Sequence, residues 1–417
     1  GALPDYRMDD TKMEKSSNTL PWLNKDFLEN ILQEGNESNY ICVTNFSIHE
    51  VVPEGNNYCS SLVRLIIDYK KNGQPIQKPL IIKAPLPDGP GKKRLDDMGI
   101  IAKECLIYNK LIPLVNEIYD VKLAPKTYSC EIPDTIILED LKEQGYLMLD
   151  RLEQLDFDHC NQFMKAIGKF HAVSIYIYKK EQDMISDMGK ETIFIDNPEL
   201  KKYFNENFKL FAAELRDWKG LEHLAEHIEK NIDIFFQKTI DAYNGKCHIR
   251  VMNHGDTWTN NMLFKHDTSG KVVDIKLIDF QLCRFASPGI DLNSFIISSA
   301  QEDVKVKRLP ELYVSYLKSF NDALENLNCE ERLTAEQLQD ELKFAEIIHI
   351  SSLPGYVAMI LCERDKTINI DKMITNASNE KYDETNPIRR MYKGARFRQV
   401  TDFTMKNLEK QGFFDFQ

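Results

Sequence analysis

The sequence lacks the features that mark membrane, secreted and nucleic-acid-binding proteins. Its 417 residues contain no apolar run long enough for a transmembrane helix and no signal-peptide-like segment near the start. Basic residues are fewer than acidic ones: the sequence has 53 Lys and Arg and 65 Asp and Glu, which gives a net charge of −12. Such a balance argues against a general binder of nucleic acid or anionic membranes. We therefore expect neither a nucleic-acid nor a membrane partner.

Paired cysteine motifs are also missing. The nine cysteines are odd in number and never form C-x-x-C, which disfavours a disulfide framework. Reduced thiols are typical of the cytoplasm, and we expect a cytoplasmic protein. Residues 223–227 match the zinc-peptidase pattern H-x-x-E-H. Their charged neighbours indicate an exposed helix, so we interpret this match as chance.

What the sequence does contain is H-G-D-x-x-x-x-N at residues 254–261, and a strand end Leu-Ile-Asp-Phe-Gln at 277–281. Protein kinases have the same arrangement, with an Asp, an Asn five residues later and then D-F-G. Asp256 is predicted to be the catalytic base that accepts the proton of an attacking hydroxyl. Asn261 and Asp279 are predicted to hold Mg²⁺ against nucleotide phosphates, because hard oxygen donors suit this ion.

Upstream, β-branched and aromatic stretches predict the strands of a nucleotide-binding lobe at residues 40–52, 62–69 and 79–84, with a hairpin turn at 70–75. In the turn-rich loop 53–60, Asn57 and Ser60 are candidates for phosphate contacts. Lys83 ends the third strand, where burial requires an anionic partner. We expect it to pair with Glu104 and to position the ATP phosphates.

Glu104 lies in a helix predicted from about residue 95 to residue 111, which Pro113 is expected to end. The next apolar strand, 135–141, is predicted to lead to a hinge. Backbone groups near Glu139 and Leu141 are expected there to bind adenine. This arrangement divides the chain into an N-terminal lobe with a helical extension, 1–140, and a helical C-lobe with the catalytic loop and acceptor pocket, 141–417.

Three further features of the C-lobe are interpreted as structural. Asp291 is expected to cap a helix and to orient the catalytic loop through backbone N–H groups. His171 is expected to be a hydrogen-bonded core histidine. The basic stretch 389–398 is interpreted as a solvated helix face. A protein kinase is disfavoured, because no A-P-E segment or long activation loop follows Asp279 and no Arg precedes Asp256.

With these motifs the chain resembles the ecdysteroid kinase-like family of insects, within the aminoglycoside phosphotransferase and choline kinase group. The residues that carry the resemblance are Gly55-Asn56-Asn57-Tyr58-Cys59-Ser60, Ile82-Lys83, Glu104, Tyr108, Leu111-Ile112-Pro113, Leu138-Glu139-Asp140-Leu141, residues 254–261, Ile278-Asp279-Phe280-Gln281 and Pro288-Gly289-Ile290-Asp291-Leu292. Trp258 and Gln281 are more particular to this family than to aminoglycoside kinases at large.

The resemblance implies an α+β, two-lobed, protein-kinase-like fold, with a small β-rich N-lobe carrying one helix and a larger helical C-lobe. It also implies ATP and Mg²⁺, and transfer of the γ-phosphate to a hydroxyl of a small molecule. Ecdysteroid or related apolar alcohols are the expected acceptors, and no protein substrate is expected. The alternatives are a kinase of choline-like or aminoglycoside-like alcohols, and a nucleotide-binding protein without turnover. The last is disfavoured because every chemical position is filled.

Overall fold

The computed structural model describes residues 20–33, 38–51, 60–118, 122–245, 247–363 and 385–415. Two compact units divide the chain, one from 1–95 and 125–144 and the other from 96–124 and 145–417. The first is built around a β-sheet and the second is mainly helical, which confirms the predicted α+β class. No helix in these described ranges is long and apolar enough to cross a membrane.

An antiparallel sheet in the order β1-β2-β3-β5-β4 forms the first unit. Its strands are β1 (Ile41–Glu50), β2 (Ser61–Lys71), β3 (Gln74–Ala84), β4 (Thr127–Tyr128) and β5 (Ile136–Glu139). The predicted hairpin turn is confirmed, because Asn72 and Gly73 both have positive φ, 50° and 81°, and join β2 to β3. An Asn-Gly pair favours this two-residue turn, since both residues tolerate the left-handed region.

Alternating side chains of β2 build the core of this unit. Val63, Leu65 and Ile67 are buried while their neighbours are not, as expected for a strand with one covered face. Helix α1 (Lys25–Leu32) contributes Leu28 to the same apolar cluster. The helix begins where the side chain of Asn24 accepts the N–H of Phe27 at 2.9 Å, a normal N-cap.

Helices dominate the second unit. Their bounds are α2 (Pro90–Asp97, at the junction of the units), α3 (Ile100–Leu106), α4 (Ile112–Ile118), α5 (Phe157–Lys180), α6 (Gln182–Met188), α7 (Pro198–Leu215), α8 (Glu222–Lys230), α9 (Ile232–Asn244), α10 (Gly289–Ser299), α11 (Glu302–Lys307), α12 (Leu309–Asn326), α13 (Ala335–Phe344), α14 (Ile348–Ser351), α15 (Ala358–Ile360), α16 (Pro387–Met391) and α17 (Ala395–Lys410). His171 of α5 is fully buried and contacts the hydroxyl of Tyr316 at 2.8 Å, as expected for a core histidine.

Two small sheets place the functional loops within this unit. One has the order β6-β8-β9, with β6 (Tyr146–Leu147), β8 (Met262–His266) and β9 (Val272–Leu277). The other pairs β7 (Val251–Asn253) with β10 (Arg284–Ala286). The loop 254–261 therefore runs from the end of β7 to the start of β8, and residues 278–283 run from β9 to β10.

The segment that carries Glu104 differs from its prediction in three respects. It begins at Pro90, is interrupted at Gly99, and continues past Pro113 to Ile118. A π-helical turn, Ile107–Leu111, precedes Pro113 and widens the helix, which accommodates a residue that lacks an N–H and crowds the preceding turn. Residues 96–124 also belong to the helical unit, because side chains such as Tyr108 pack there against Phe280.

Candidate active site

The β8–β9 hairpin brings the two predicted metal ligands together. Met262 pairs with Leu277, and the next residues are joined because the N–H of Ile278 donates to the carbonyl of Asn261 at 3.0 Å. Asn261 precedes β8 and Asp279 follows β9, so both lie at the same end of the hairpin. The β8–β9 hairpin therefore brings Asn261 and Asp279 close together although they are far apart in the sequence.

Gly255 is required by the sharp entry into the catalytic loop. It has φ of 83°, a conformation that residues with a Cβ atom rarely adopt. A Cβ atom added there would lie 1.9 Å from the carbonyl oxygen of Leu282, which is backbone and cannot move aside cheaply. The glycine thus permits the loop to pass directly against the chain that follows Asp279.

Asp256 is a buried carboxylate whose two oxygens have different partners. Asp256 is only 6% exposed. The hydroxyl of Tyr356 donates to Oδ1 at 2.7 Å, and Nε2 of Gln281 lies 3.4 Å from Oδ2. Burial raises the pKa of Asp256 and the charge of Asp279 adds to this, whereas hydrogen bonds from Tyr356 and Asn261 oppose it. A raised pKa suits a group that must accept a proton.

Asp291 holds the backbone of the catalytic loop. It is fully buried on α10, and its carboxylate accepts the N–H of His254 at 2.7 Å and the N–H of Gly255 at 2.8 Å. Nε2 of His171 lies 2.9 Å from the same carboxylate. The expected orienting role agrees with these bonds. The expected helix cap is wrong, because Asp291 lies inside the first turn and Pro288 occupies the N-cap position.

His254 links the loop to the strand end that carries Asp279. Its Nε2 lies 2.8 Å from the carbonyl of Ile278, and its Nδ1 lies 3.3 Å from the N–H of Asp256. Because a carbonyl can only accept, Nε2 donates the proton and Nδ1 accepts. The imidazole of His254 therefore fixes the backbone of the predicted base Asp256 and the backbone next to the predicted metal ligand Asp279.

Asp279 has an unusual backbone conformation, with φ of 64°. Such a conformation costs about 1–3 kcal/mol for a residue other than glycine, so its surroundings must hold it. Its N–H donates to the hydroxyl of Tyr108 at 3.0 Å, and the rings of Tyr108 and Phe280 meet edge to face at 5.4 Å. Tyr108 lies in the π-helical turn, so this irregular element supports the predicted metal ligand.

Asn261 is oriented by its amide nitrogen, which donates to the backbone carbonyl of Asp256 at 2.9 Å. That bond turns the amide so that the oxygen is the atom available to a cation. An amide oxygen from Asn261 and a carboxylate from Asp279 are the donor types that Mg²⁺ prefers. The residues present therefore fit the predicted ion.

Three of the predicted phosphate contacts belong to the first unit. Lys83 lies near the end of β3, where it pairs in register with Leu62 and Ile136 and is 4% exposed. A lysine buried to this degree requires an anionic or strongly polar partner. The hydroxyl of Ser60 is buried without a hydrogen-bond partner in the described part of the chain. Asn57 lies outside the described residues.

The predicted hinge also lies in the first unit. The side chain of Glu139 accepts from the N–H of Lys126 at 2.9 Å and from Gln144 at 2.8 Å. The N–H of Glu139 donates to the carbonyl of Lys126 at 3.0 Å, so this donor is not available to adenine. Leu141 is buried at the start of a short 3₁₀ helix, Leu141–Gln144. The adenine contact stays a prediction for the remaining backbone groups.

Glu104 lies on α3 in the second unit and is 4% exposed. The adjacent Lys103 donates to the carbonyls of Lys190 and Cys283, at 2.8 Å and 3.0 Å. Burial lowers the pKa of Lys103. The bond to Cys283 fixes the helix that carries Glu104 to the chain that follows Asp279, and the bond to Lys190 fixes it to the segment after α6. Pairing of Glu104 with Lys83 stays a prediction.

Sequence reasoning missed two residues that contact the predicted base Asp256 and the predicted metal ligand Asp279. Tyr356 lies 100 positions from Asp256 in sequence, in a second π-helical turn, Leu353–Val357, and nothing in its local pattern signals the contact. Tyr108 appeared only as a motif residue, without a role. Its position one helical turn after Glu104 was the available signal.

The zinc-peptidase pattern has no support among the described residues. His223 contacts Glu409 through a short hydrogen bond. No group of three or more His, Cys, Asp or Glu in the described ranges is arranged to hold a metal ion.

Comparison with known proteins gives a family match for most of the chain. The model of the family described as "Ecdysteroid kinase-like family" matches residues 54–329, about two thirds of the chain. The match includes every predicted site residue from Asn57 to Asp279. The comparison with curated proteins gives no match.

Several solved structures are similar to the chain at low sequence identity. The GDP and kanamycin complex of APH(2")-IIia has 11% identity and a TM-score of 0.43, with 90% of this chain and 97% of that chain covered. The GDP complex of aminoglycoside 2'-phosphotransferase-IIIa has 11% identity and a TM-score of 0.41, covering 92% and 100%. A glucosamine kinase has 11% identity and a TM-score of 0.34, covering 77% and 89%.

Proposed function

The chain belongs to the ecdysteroid kinase-like family and is a small-molecule phosphotransferase, and we propose that it phosphorylates a hydroxyl of an ecdysteroid or a related apolar alcohol with ATP. The observation that carries the proposal is the buried Asp256, held by Tyr356 beside the paired strand ends of Asn261 and Asp279. A base next to two oxygen ligands is the arrangement that phosphoryl transfer requires.

The reaction needs one proton acceptor and compensation of phosphate charge. Asp256 accepts the proton as the acceptor oxygen bonds to the γ-phosphorus and the bond from that phosphorus to the β,γ-bridging oxygen breaks. Asn261 and Asp279 would bind Mg²⁺, and bound Mg²⁺ would supply positive charge against the phosphates. Because the loop is fixed through Asp291 and His254, Asp256 does not have to be ordered during each turnover.

The nucleotide contacts are proposed from buried charge and orphaned polar groups. Lys83 and Glu104 are both nearly inaccessible, and a buried charge requires an opposite charge or strong hydrogen bonds. The unpartnered hydroxyl of Ser60 suits a phosphate oxygen, and Asn57 belongs to the same predicted loop. Adenine is proposed to bind backbone groups near Glu139 and Leu141.

The apolar surroundings of Tyr356 agree with the proposed apolar acceptor. Partly buried Phe194, Tyr243, Tyr356 and Met359 pack against one apolar cluster, and the rings of Phe194 and Tyr243 stack at 3.9 Å. Tyr243 also lies close enough to Tyr356 to help raise its pKa, although burial is the main cause. The guanidinium of Arg284 lies over the Tyr243 ring at 4.4 Å and over the Phe194 ring at 5.4 Å, so these two rings already contact a cation of the protein itself.

Among the described residues, three carboxylates near Tyr356 and Tyr243 already have partners. Asp256 accepts the hydrogen bond of the Tyr356 hydroxyl, and Asp291 accepts backbone N–H groups of the loop that carries Asp256. The charges of both carboxylates help to raise the pKa of Tyr356. Glu191 lies 3.0 Å from the buried Arg284, with which it forms an ion pair. An acceptor such as choline or an aminoglycoside would need additional carboxylates to balance its positive charge. None of these three described carboxylates is therefore free to balance the charge of such an acceptor, which agrees with the proposed apolar alcohol.

Product analysis with γ-labelled ATP tests the acceptor class. The chain is incubated with Mg²⁺ and, separately, an ecdysteroid, another sterol alcohol, choline and an aminoglycoside. We expect label on a steroid hydroxyl. Label only on choline or the aminoglycoside would refute the steroid acceptor while leaving the phosphotransferase intact. Nucleotide binding without transfer to any alcohol would instead indicate a binding protein without turnover.

The cellular setting belongs to the same proposal. Every cysteine in the described residues is free, which agrees with a reducing compartment and supports the proposed cytoplasmic location. The acidic balance of the sequence supports a small-molecule partner in preference to nucleic acid.

A further inference from the structure

We infer that Tyr356 is a positioning residue for the catalytic base, which fixes Oδ1 of Asp256 and leaves Oδ2 to take the proton of the acceptor hydroxyl. The inference rests on the proposed phosphotransferase function and deepens it, because it assigns the two oxygens of one carboxylate to different tasks. It also gives a role to a residue of the π-helical turn Leu353–Val357, which lies outside the residues matched by the family model.

The two oxygens are distinguished by distance. The Tyr356 hydroxyl lies 2.7 Å from Oδ1, a full hydrogen bond between a phenol and a carboxylate. The Gln281 amide lies 3.4 Å from Oδ2, at the outer limit for such a bond. Oδ2 therefore keeps more of its accepting capacity. A hydroxyl that approaches the carboxylate competes with a weak contact at Oδ2 and with a strong one at Oδ1.

The fold, and not chance rotation of an exposed side chain, sets the position of the Tyr356 hydroxyl. Its ring packs against the apolar cluster of the helical unit. The N–H of Val357 donates to the carbonyl of Ser352 at 2.8 Å, which closes the wide π-helical turn around Pro354. The Tyr392 hydroxyl donates to the carbonyl of Pro354 at 2.7 Å and holds the same turn from the other side. Tyr356 thus reaches Asp256 from a fixed element.

The consequence for the reaction is orientation. A carboxylate held at one oxygen cannot rotate freely about its Cβ–Cγ bond, so Oδ2 presents its lone pairs in one direction. Correct placement of a reacting group is worth a large factor, and misplacement by about 1 Å costs about 10²-fold in rate. Loss of the Tyr356 hydroxyl removes the bond without removing the ring that fills the space.

The test compares Tyr356→Phe with Tyr392→Phe. Tyr356 lies in the π-helical turn and Tyr392 donates to that turn from outside it, so each change removes one phenolic hydroxyl bond of the turn, but only the first removes a bond to Asp256. For Tyr356→Phe we expect kcat to fall about 10- to 100-fold, with the Kd of ATP and the KM for ATP unchanged within about 3-fold. For Tyr392→Phe we expect a lower Tm, because a buried carbonyl loses its donor, and kcat within about 3-fold of wild type.

Each outcome decides between a positioning and a merely structural role. A wild-type kcat in Tyr356→Phe overturns the inference, and so do equal losses of kcat in both variants, since these would show that the turn as a whole matters. Unaltered kcat with a raised KM for the alcohol also overturns it, because Tyr356 would then only bind substrate. If the wild type transfers phosphate to no alcohol, the proposed function falls and the inference falls with it.

Discussion

Asp291→Asn is expected to displace the catalytic loop although residue 291 touches neither predicted metal ligand nor substrate. In the wild type, Oδ1 accepts the N–H of Gly255 at 2.8 Å, and Oδ2 accepts the N–H of His254 at 2.7 Å. Asparagine keeps one oxygen and replaces the other with an amide that only donates. One of the two buried N–H groups then faces another donor.

The magnitude follows from that lost acceptor. A buried donor without a partner costs about 1–3 kcal/mol, and bonds to a charged group lie at the upper end. His171 loses its charged partner as well. We therefore expect a loss of about 3 kcal/mol in unfolding free energy, which corresponds to a Tm lower by about 5–10 °C. Displacement of the loop by about 1 Å should lower kcat about 10²-fold.

Glu341→Gln provides the matched control. Glu341 is also fully buried and accepts two successive backbone N–H groups, those of His248 at 2.7 Å and Ile249 at 2.9 Å. These precede β7, whereas the bonds of Asp291 follow it. Both N–H groups donate to Oε1 of Glu341, so the amide oxygen of a glutamine still accepts them, whereas Asp291→Asn removes one of two acceptors. Differential scanning calorimetry and steady-state kinetics should therefore show a smaller loss of stability in Glu341→Gln, with the large fall in kcat confined to Asp291→Asn. Equal falls in kcat, or wild-type turnover in Asp291→Asn, would refute the reasoning.

Three further predictions follow from the site. Asp279→Ala should abolish Mg²⁺-dependent turnover with the circular dichroism spectrum preserved; turnover that survives EDTA in the wild type would contradict the metal role. Lys83→Ala should weaken ATP binding or turnover, measured by calorimetry and kinetics, without loss of secondary structure; unchanged Kd and kcat would remove Lys83 from the site. Because burial raises the pKa of Asp256, the base becomes protonated at a higher pH than an ordinary aspartate as the solution is acidified. The acid limb of kcat/KM against pH should therefore lie above the pKa of an ordinary aspartate, and a limb at or below that value would contradict this.

The parts of the fold that local chemistry determines were predictable. Asn72-Gly73 permits only a tight hairpin, and the alternation through β2 fixes which face is buried. The spacing of Asp256, Asn261 and Asp279 indicated that the three residues form one site. The β8–β9 hairpin explains how Asn261 and Asp279 come together in the fold. Asp291 could be recognised as support for the loop because it begins an apolar run soon after the site.

Features that depend on tertiary context were not predictable. Pro113 is a strong stop signal, but the π-helical turn before it absorbs the missing N–H, so the helix continues. Arg389 was interpreted as solvated because its neighbours are basic. It is buried and pairs with Glu214 at 2.9 Å, since a carboxylate on a distant helix satisfies it. The contact of Tyr356 with Asp256 depends in the same way on distant packing.

Transfer of label from γ-labelled ATP to an alcohol by the wild type and by Asp256→Asn tests the central claim most directly. The substitution keeps the size of the side chain and removes its ability to accept a proton from the attacking hydroxyl. Binding of ATP, measured by titration calorimetry, should stay within about 3-fold of wild type, while turnover should fall by at least ~10³-fold, since proton transfer and positioning each contribute about 10²-fold or more. A near-normal rate of transfer in Asp256→Asn would contradict the assignment of Asp256 as the catalytic base.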